Sequence, residues 1–247
     1  MAAPARWRRF RTLERRELML LMLGIGVCLL LWGFLALASE VMEGDTTTLD
    51  TRILVALRKS DDPSRPIGPS WVENSLLDLT AIGGPTVLGL VVVAVVGFLV
   101  LQTRYHTAIV VLATAASGEL VNYVLKNVFL RPRPDVVPHL RNVTTSSFPS
   151  GHAMESAIIY LTLGAMLMRL SERRITKVYT MGIAIALTLL VGISRVYLGV
   201  HYPTDVAAGL LAGTSWLGLS VVAMSGREPR FRGGAPPAPA SAKRAAP

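Results

Sequence analysis

The chain has 247 residues, 51% of them hydrophobic and 17% charged, with a mean hydropathy of +0.48; this excludes a soluble domain and points to a polytopic membrane protein. A net charge of +9 and a pI near 10.3 would suit nucleic acid, but the Lys and Arg residues flank the apolar runs instead of forming one patch. Their expected partners are anionic membrane lipids, and no nucleic acid.

In chain order, residues 1–17 form a basic N-terminus, and residues 18–38 are 21 residues without a charge, enough to cross roughly 30 Å of hydrocarbon. Basic residues before this run and Ala36-Leu37-Ala38 at its end give it the outline of a signal peptide. It is longer than the roughly 7–15 residues of a signal's apolar region, so it is read as an uncleaved first span. Cys28 lies within it, and a single cysteine excludes an internal disulfide and a multi-cysteine metal site. Residues 40–71 are too long for a tight turn. Leu49, Ile53, Ala56 and Leu57 recur there at helical spacing, which predicts a short amphipathic helix on the membrane surface, followed by a loop over residues 61–70.

A second charge-free run of 21 residues covers 81–101, and four further segments, 107–125, 153–168, 178–193 and 206–224, complete six predicted transmembrane helices. The fold class expected is all-α, with one membrane domain over residues 18–225 and a disordered tail over 226–247, rich in Pro, Ala, Gly and Arg. With the N-terminus in the cytoplasm, that side holds 16 of the 25 Lys and Arg residues and the opposite side nine. The positive-inside rule therefore puts both termini in the cytoplasm. The connections between the third and fourth and between the fifth and sixth spans then share the extracytoplasmic side, where they can meet.

These two connections carry the polar residues. The first begins "KNVFLRPRP", in which prolines stiffen the positions of Arg131 and Arg133 and Lys126 ends a span. Basic side chains at a helix end also offset its dipole and reach headgroups, an alternative for this stretch alone. Next comes "FPSGH", where Ser150 and Gly151 precede a helix opening near His152. Free amides and the positive dipole end make an anion site there, although Ser150 equally suits an ordinary N-cap. The second connection, "SRVYLGVHYPTD", supplies Arg195, His201 and, four residues later, Asp205. A carboxylate accepting from one imidazole nitrogen fixes the tautomer and makes the other nitrogen a nucleophile; a structural histidine is the alternative. Taken together, two histidines, an aspartate and several cations on one membrane face suit a phosphate ester. The cations and amides neutralise phosphoryl oxygens, one His attacks, and the other protonates the leaving oxygen.

With these residues in place, the chain resembles the type 2 phosphatidic acid phosphatases, a family of membrane lipid phosphatases with the signatures Lys-x6-Arg-Pro, Pro-Ser-Gly-His and Ser-Arg-x5-His-x3-Asp. Lys126 with Arg133-Pro134 meets the first signature. Pro149 to His152 meet the second, and Ser194-Arg195, His201 and Asp205 the third. The resemblance covers roughly residues 79–224. It implies that His201 is the nucleophile forming a phosphohistidine, that Asp205 orients it, and that His152 is the general acid that then activates water. Lys126, Arg133, Ser150, Gly151 and Arg195 would hold the phosphate. The family needs no metal or other cofactor, and the polar clusters here offer no carboxylate set suited to Mg²⁺.

Glu119, Asn122 and Lys126 fall on one helix face, so Glu119 and Asn122 are expected either to position Lys126 or to make a helix-to-helix hydrogen bond. Glu155 stands about one turn after His152 and would orient it, or is a first-turn acid favoured by the dipole. Asn142-Val143-Thr144 fits a glycosylation sequon, a motif common by chance.

The function expected is removal of phosphate from a lipid phosphate or diphosphate at the extracytoplasmic face of a membrane, that of a bacterial cell's inner membrane by this reading. By the resemblance, candidate substrates are polyprenyl diphosphates such as undecaprenyl diphosphate, phosphatidylglycerophosphate and phosphatidic acid. A lipid phosphotransferase using the same phosphohistidine, and an anion channel or transporter, are the competing readings.

Overall fold

The computed structural model describes residues 15–141 and 143–225. The tail, the first 14 residues and Asn142 of the sequon lie outside the described residues. Eight helices follow in order: α1 Arg15–Glu43, α2 Thr47–Ala56, α3 Ser70–Ile82, α4 Pro85–Leu101, α5 Tyr105–Phe129, α6 Gly151–Leu170, α7 Arg174–Tyr197 and α8 Pro203–Ser225. Five are long and apolar enough to cross a membrane, and α3 with α4, bent by 48° at their junction, supplies a sixth span. The six expected spans are thus present, and among the described residues the only β pairing is an isolated bridge between Arg58 and Pro66.

α6 is the centre of the bundle, packed on α7 and α8, with α1 lying along α8. Lipid tails are as apolar as leucine, so close van der Waals packing between small residues holds such helices together. Gly209 and Gly213, a G-x-x-x-G pair on α8, lie directly on the α6 backbone. A Cβ at Gly209 would stand 2.5 Å from the Ser150 carbonyl oxygen, and one at Gly213 would strike the Met154 carbonyl. The start of α8, with Asp205, is thereby held against the start of α6.

One part of the 40–71 segment differs from the sequence expectation. The α2 helix is where the spacing places it, with Leu49, Ile53 and Ala56 facing outward and Asp50 and Leu54 fully buried. At a membrane interface an apolar stripe marks the side turned to lipid, so the buried side is the one with the carboxylate. The loop ends at Pro69, where α3 begins; Glu73 and Asp78 interrupt its apolar run and hide it from a hydropathy reading. The second span therefore starts about three turns before residue 81, and breaks at Gly83 and Gly84 before Pro85 opens α4. Gly83 has no room for a side chain, because a Cβ there would strike Val191 of α7 and stand 2.8 Å from Ser156 Oγ of α6. The break lies beside α6 and α7 near the polar end of the bundle.

Candidate active site

Residues 130–150, between α5 and α6, and residues 198–202, between α7 and α8, meet at one end of the bundle. Leu140 N–H donates to Leu198 O at 3.1 Å, Ser147 N–H to Arg131 O at 2.8 Å and Ser150 N–H to Asp205 O at 2.9 Å. Phe148, wholly buried, packs against Phe34 of α1 and Phe129 of α5 with ring centroids 6.0 and 5.0 Å apart, pairs worth about 0.5–1.5 kcal/mol each beyond their burial. Gly199 turns the other connection with φ +73°, and a Cβ there would stand 2.6 Å from Arg58 Nη2. Only glycine fits this turn on both counts.

His201 is 1% exposed. Its Nδ1 faces Asp205 Oδ2 at 3.4 Å, while Arg133 Nη1 lies 3.2 Å from its Nε2. With the proton on Nδ1, toward the carboxylate, Nε2 keeps its lone pair. Burial pushes the imidazole down from its ordinary 6.5 to about 3, against the opposing pull of Asp205. A lowered value means that the neutral form persists as the pH falls. Among the four histidines, the ring signals of His201 in a histidine-labelled sample are therefore expected to stay those of neutral imidazole down to about pH 5. Titration of His201 near 6.5 would contradict its burial.

Lys126, Arg133 and Arg195 surround the two histidines closely enough for their charges to act on one another. Lys126 Nζ donates to Ser146 O at 2.8 Å. Arg133 donates to Val200 O at 2.6 Å and to Thr145 O at 2.7 Å, and Arg195 Nη1 donates to Thr80 Oγ1 of α3 at 3.0 Å. Each cation is thus fixed by neutral acceptors and keeps its full charge for an anion. Arg141, exposed on the loop, acts on His152 and Arg195 as a further cation; it lies outside the sequence signatures.

His152 Nε2, Ser150 Oγ and Arg195 Nε are buried polar atoms without a hydrogen-bond partner. Leaving such atoms unpaired is costly, and their place beside the N-terminus of α6 among cations makes this a candidate ligand site. One detail of the sequence reading changes. The Ser150 amide is occupied by the Asp205 carbonyl, so Ser150 offers its hydroxyl, and the amides without an intrahelical acceptor begin at Gly151. Gly151 also has a packing reason to be glycine, since a Cβ there would stand 2.8 Å from Asn122 Nδ2.

Asn122 Nδ2 donates to Glu155 Oε1 at 2.8 Å, joining α5 to α6, and Glu119 also contacts the Glu155 carboxyl. The helix-to-helix bond is thus the alternative that holds, because Lys126 is fixed by Ser146 and not by Glu119 or Asn122. Glu155 turns to Asn122 and leaves the His152 ring alone.

Sequence reasoning passed over Ser147 and Asp50 behind the histidine, and left Arg131 without partners. Ser147 Oγ donates to Asp205 Oδ2. Arg131 Nη1 donates to Asp205 Oδ1 at 2.5 Å, and Arg131 Nη2 to Asp50 Oδ2 of α2 at 2.9 Å. The prolines around Arg131 marked it as rigid, but nothing in the sequence named its partners. Among the described residues no three His, Cys, Asp or Glu side chains are grouped to hold a metal ion.

A membrane-spanning helical bundle with two histidines, a carboxylate and a ring of cations at one end defines an integral membrane phosphatase. Comparison with known proteins agrees. A family model described as the PAP2 superfamily matches residues 107–229. Phosphatidylglycerophosphatase B of Bacillus subtilis is 34% identical over 147 residues, 58% of this chain and 70% of that protein. Decaprenylphosphoryl-5-phosphoribose phosphatase of Mycobacterium tuberculosis is 29% identical over 152 residues, 60% of this chain and 78% of that protein. The crystal structure of a transmembrane PAP2 type phosphatidylglycerolphosphate phosphatase from Bacillus subtilis superposes with a TM-score of 0.72 at 28% identity, covering 83% of this chain and 98% of that one. The chain belongs to the PAP2 superfamily.

Proposed function

We propose that this protein hydrolyses a membrane lipid phosphate or diphosphate through a phosphohistidine on His201, at the extracytoplasmic face. The observation that carries the reading is His201 itself: a buried imidazole backed by Asp205 at Nδ1, with Nε2 turned to Arg133. Nε2 attacks phosphorus, the P–O bond to the leaving group breaks, and His152 gives its proton to the departing oxygen. Neutral His152 then takes a proton from water as the hydroxide attacks the phosphohistidine and the P–Nε2 bond breaks, releasing inorganic phosphate, neutral His201 and the His152 imidazolium with which the cycle began. Lys126, Arg133, Arg195, the Ser150 hydroxyl and the amides from Gly151 onward neutralise the phosphoryl oxygens, where charge grows in the transition state. The names of the relatives support a lipid substrate: a phosphatidylglycerophosphatase and a phosphatase of a decaprenylphosphoryl sugar phosphate. Polyprenyl diphosphate, phosphatidylglycerophosphate and phosphatidic acid are the candidates.

The test is phosphate release by the purified protein in excess chelator, across a panel of lipid monophosphates and diphosphates. Release from at least one lipid, undiminished by the chelator, is expected. Loss of release on chelation would refute the metal-independent mechanism, and little release of inorganic phosphate with formation of a phosphorylated product when an acceptor alcohol is supplied would make the enzyme a transferase.

The excess of Lys and Arg on the opposite side supports both termini in the cytoplasm, with the site facing outward from a bacterial inner membrane. Single cysteines at Thr144 and Glu172, in a Cys28→Ala background, check this with an impermeant thiol reagent on intact cells. Thr144→Cys is expected to label and Glu172→Cys to stay protected; the reverse pattern would invert the topology.

A further inference from the structure

Asp50 lies on α2, 0% exposed, and both of its carboxylate oxygens are committed. Oδ1 accepts the Thr204 amide at 3.1 Å; Oδ2 accepts the Thr204 hydroxyl at 2.5 Å and Arg131 Nη2 at 2.9 Å. Arg131, 8% exposed, uses its other nitrogen on Asp205 Oδ1 at 2.5 Å and on Thr204 Oγ1 at 2.9 Å. Its guanidinium lies 4.2 Å over the ring of Tyr202, whose amide donates to Asp205 Oδ2 at 2.9 Å. A planar fork bridging two carboxylates in this way is suited to arginine and not to lysine.

The charges of this cluster bear on the reaction. An arginine paired with Asp205 alone would cancel the carboxylate that supports the imidazole. With Asp50 present, two carboxylates and one guanidinium leave one net negative charge behind His201. Besides Asp205, the leading charges acting on His201 are the cations Arg133 and Arg195.

We infer that Asp50 is a positioning residue for the nucleophile: acting through Arg131, it fixes the Asp205 carboxylate and keeps the buried cluster one charge negative, matching the positive charge that His201 acquires on bonding to phosphorus. The inference rests on the phosphohistidine reading. It gives α2, outside the family's three signatures, a part in the chemistry.

The test compares full-length wild-type protein, Asp50→Asn and the double variant Asp50→Asn/Arg131→Gln, measuring kcat, KM and the rapid-quench rate of enzyme phosphorylation. Asp50→Asn makes the cluster neutral, so phosphorylation and kcat are expected to fall about 10–100-fold, the range for residues supporting a functional ligand. KM should hold within about threefold, since Asp50 contacts none of the phosphate-binding groups. The double variant restores one net negative charge and is expected to phosphorylate faster than Asp50→Asn. A purely structural role predicts the opposite, further loss as a second buried partner goes. Wild-type rates in folded Asp50→Asn, or a double variant slower than the single one, would overturn the inference. Should Asp50→Asn fail to fold, Arg131→Lys replaces it: a point charge cannot bridge both carboxylates, so a similar loss of kcat at unchanged KM is expected, and wild-type kcat would overturn the inference. His201→Ala separates the two levels. If that variant turns over, the phosphohistidine reading fails; if it is dead while the Asp50 and Arg131 variants match wild type, only the role of Asp50 fails.

Discussion

His201→Ala is expected to lower phosphate release by at least about four orders of magnitude, the scale seen when a covalent nucleophile is removed. The protein should still fold and insert. Asp205 loses one neighbour but keeps Arg131, the Ser147 hydroxyl and the Tyr202 amide as donors, so no buried carboxylate is orphaned by the substitution. Loss of activity would therefore report on chemistry and not on collapse of the site, and a melting temperature near that of wild type is the control. An anion channel built on the same cations predicts intact transport in this variant. Retained turnover would remove His201 as the nucleophile.

His152→Ala is expected to cost about 10²–10⁴-fold, the usual contribution of a positioned general acid or base. Its Nε2 is buried without a hydrogen-bond partner and a Cβ on Gly84 would stand 3.7 Å from it, so the α3–α4 break closes one side of the space around this nitrogen. The cost should depend on the leaving group. A lipid monophosphate expels an alkoxide, which needs the proton; a diphosphate expels a phosphate that leaves without one. Measured on the first half-reaction by rapid quench, the deficit is expected to be larger for the monophosphate. An equal deficit for both would assign His152 to binding instead of proton transfer, and an unchanged rate on every substrate would exclude it from the mechanism.

How much of this was legible in the sequence follows from where the interactions lie along the chain. The spans are local apolar runs, and five of the six emerge within a few residues of their observed limits. The candidate catalytic pair is legible because His201 and Asp205 are one turn apart, and the candidate phosphate site because Ser150, Gly151 and His152 are consecutive. Asp50 was not legible, since its partners Arg131 and Thr204 are 81 and 154 residues away and no local pattern reaches so far. The α2 periodicity was legible, with its apolar residues turned outward as on an interfacial helix, but the polar side that packs on the protein carries no local pattern. Ser147 stood in a run of four hydroxyl residues, 144–147, and only the folded loop determines which of them reaches Asp205. Glu119 and Asn122 share a face with Lys126, yet their partner proved to be Glu155 on α6, a contact set by helix packing and not by spacing on α5.

The most direct test of the account is to quench the enzyme in the steady state with radiolabelled lipid phosphate and map the labelled peptide. An alkali-stable, acid-labile phosphoramidate is expected on the peptide containing His201, formed at a rate no slower than turnover and lost in His201→Ala. Label on a different residue, or turnover at the wild-type rate with no label under conditions that preserve phosphohistidine, would contradict it.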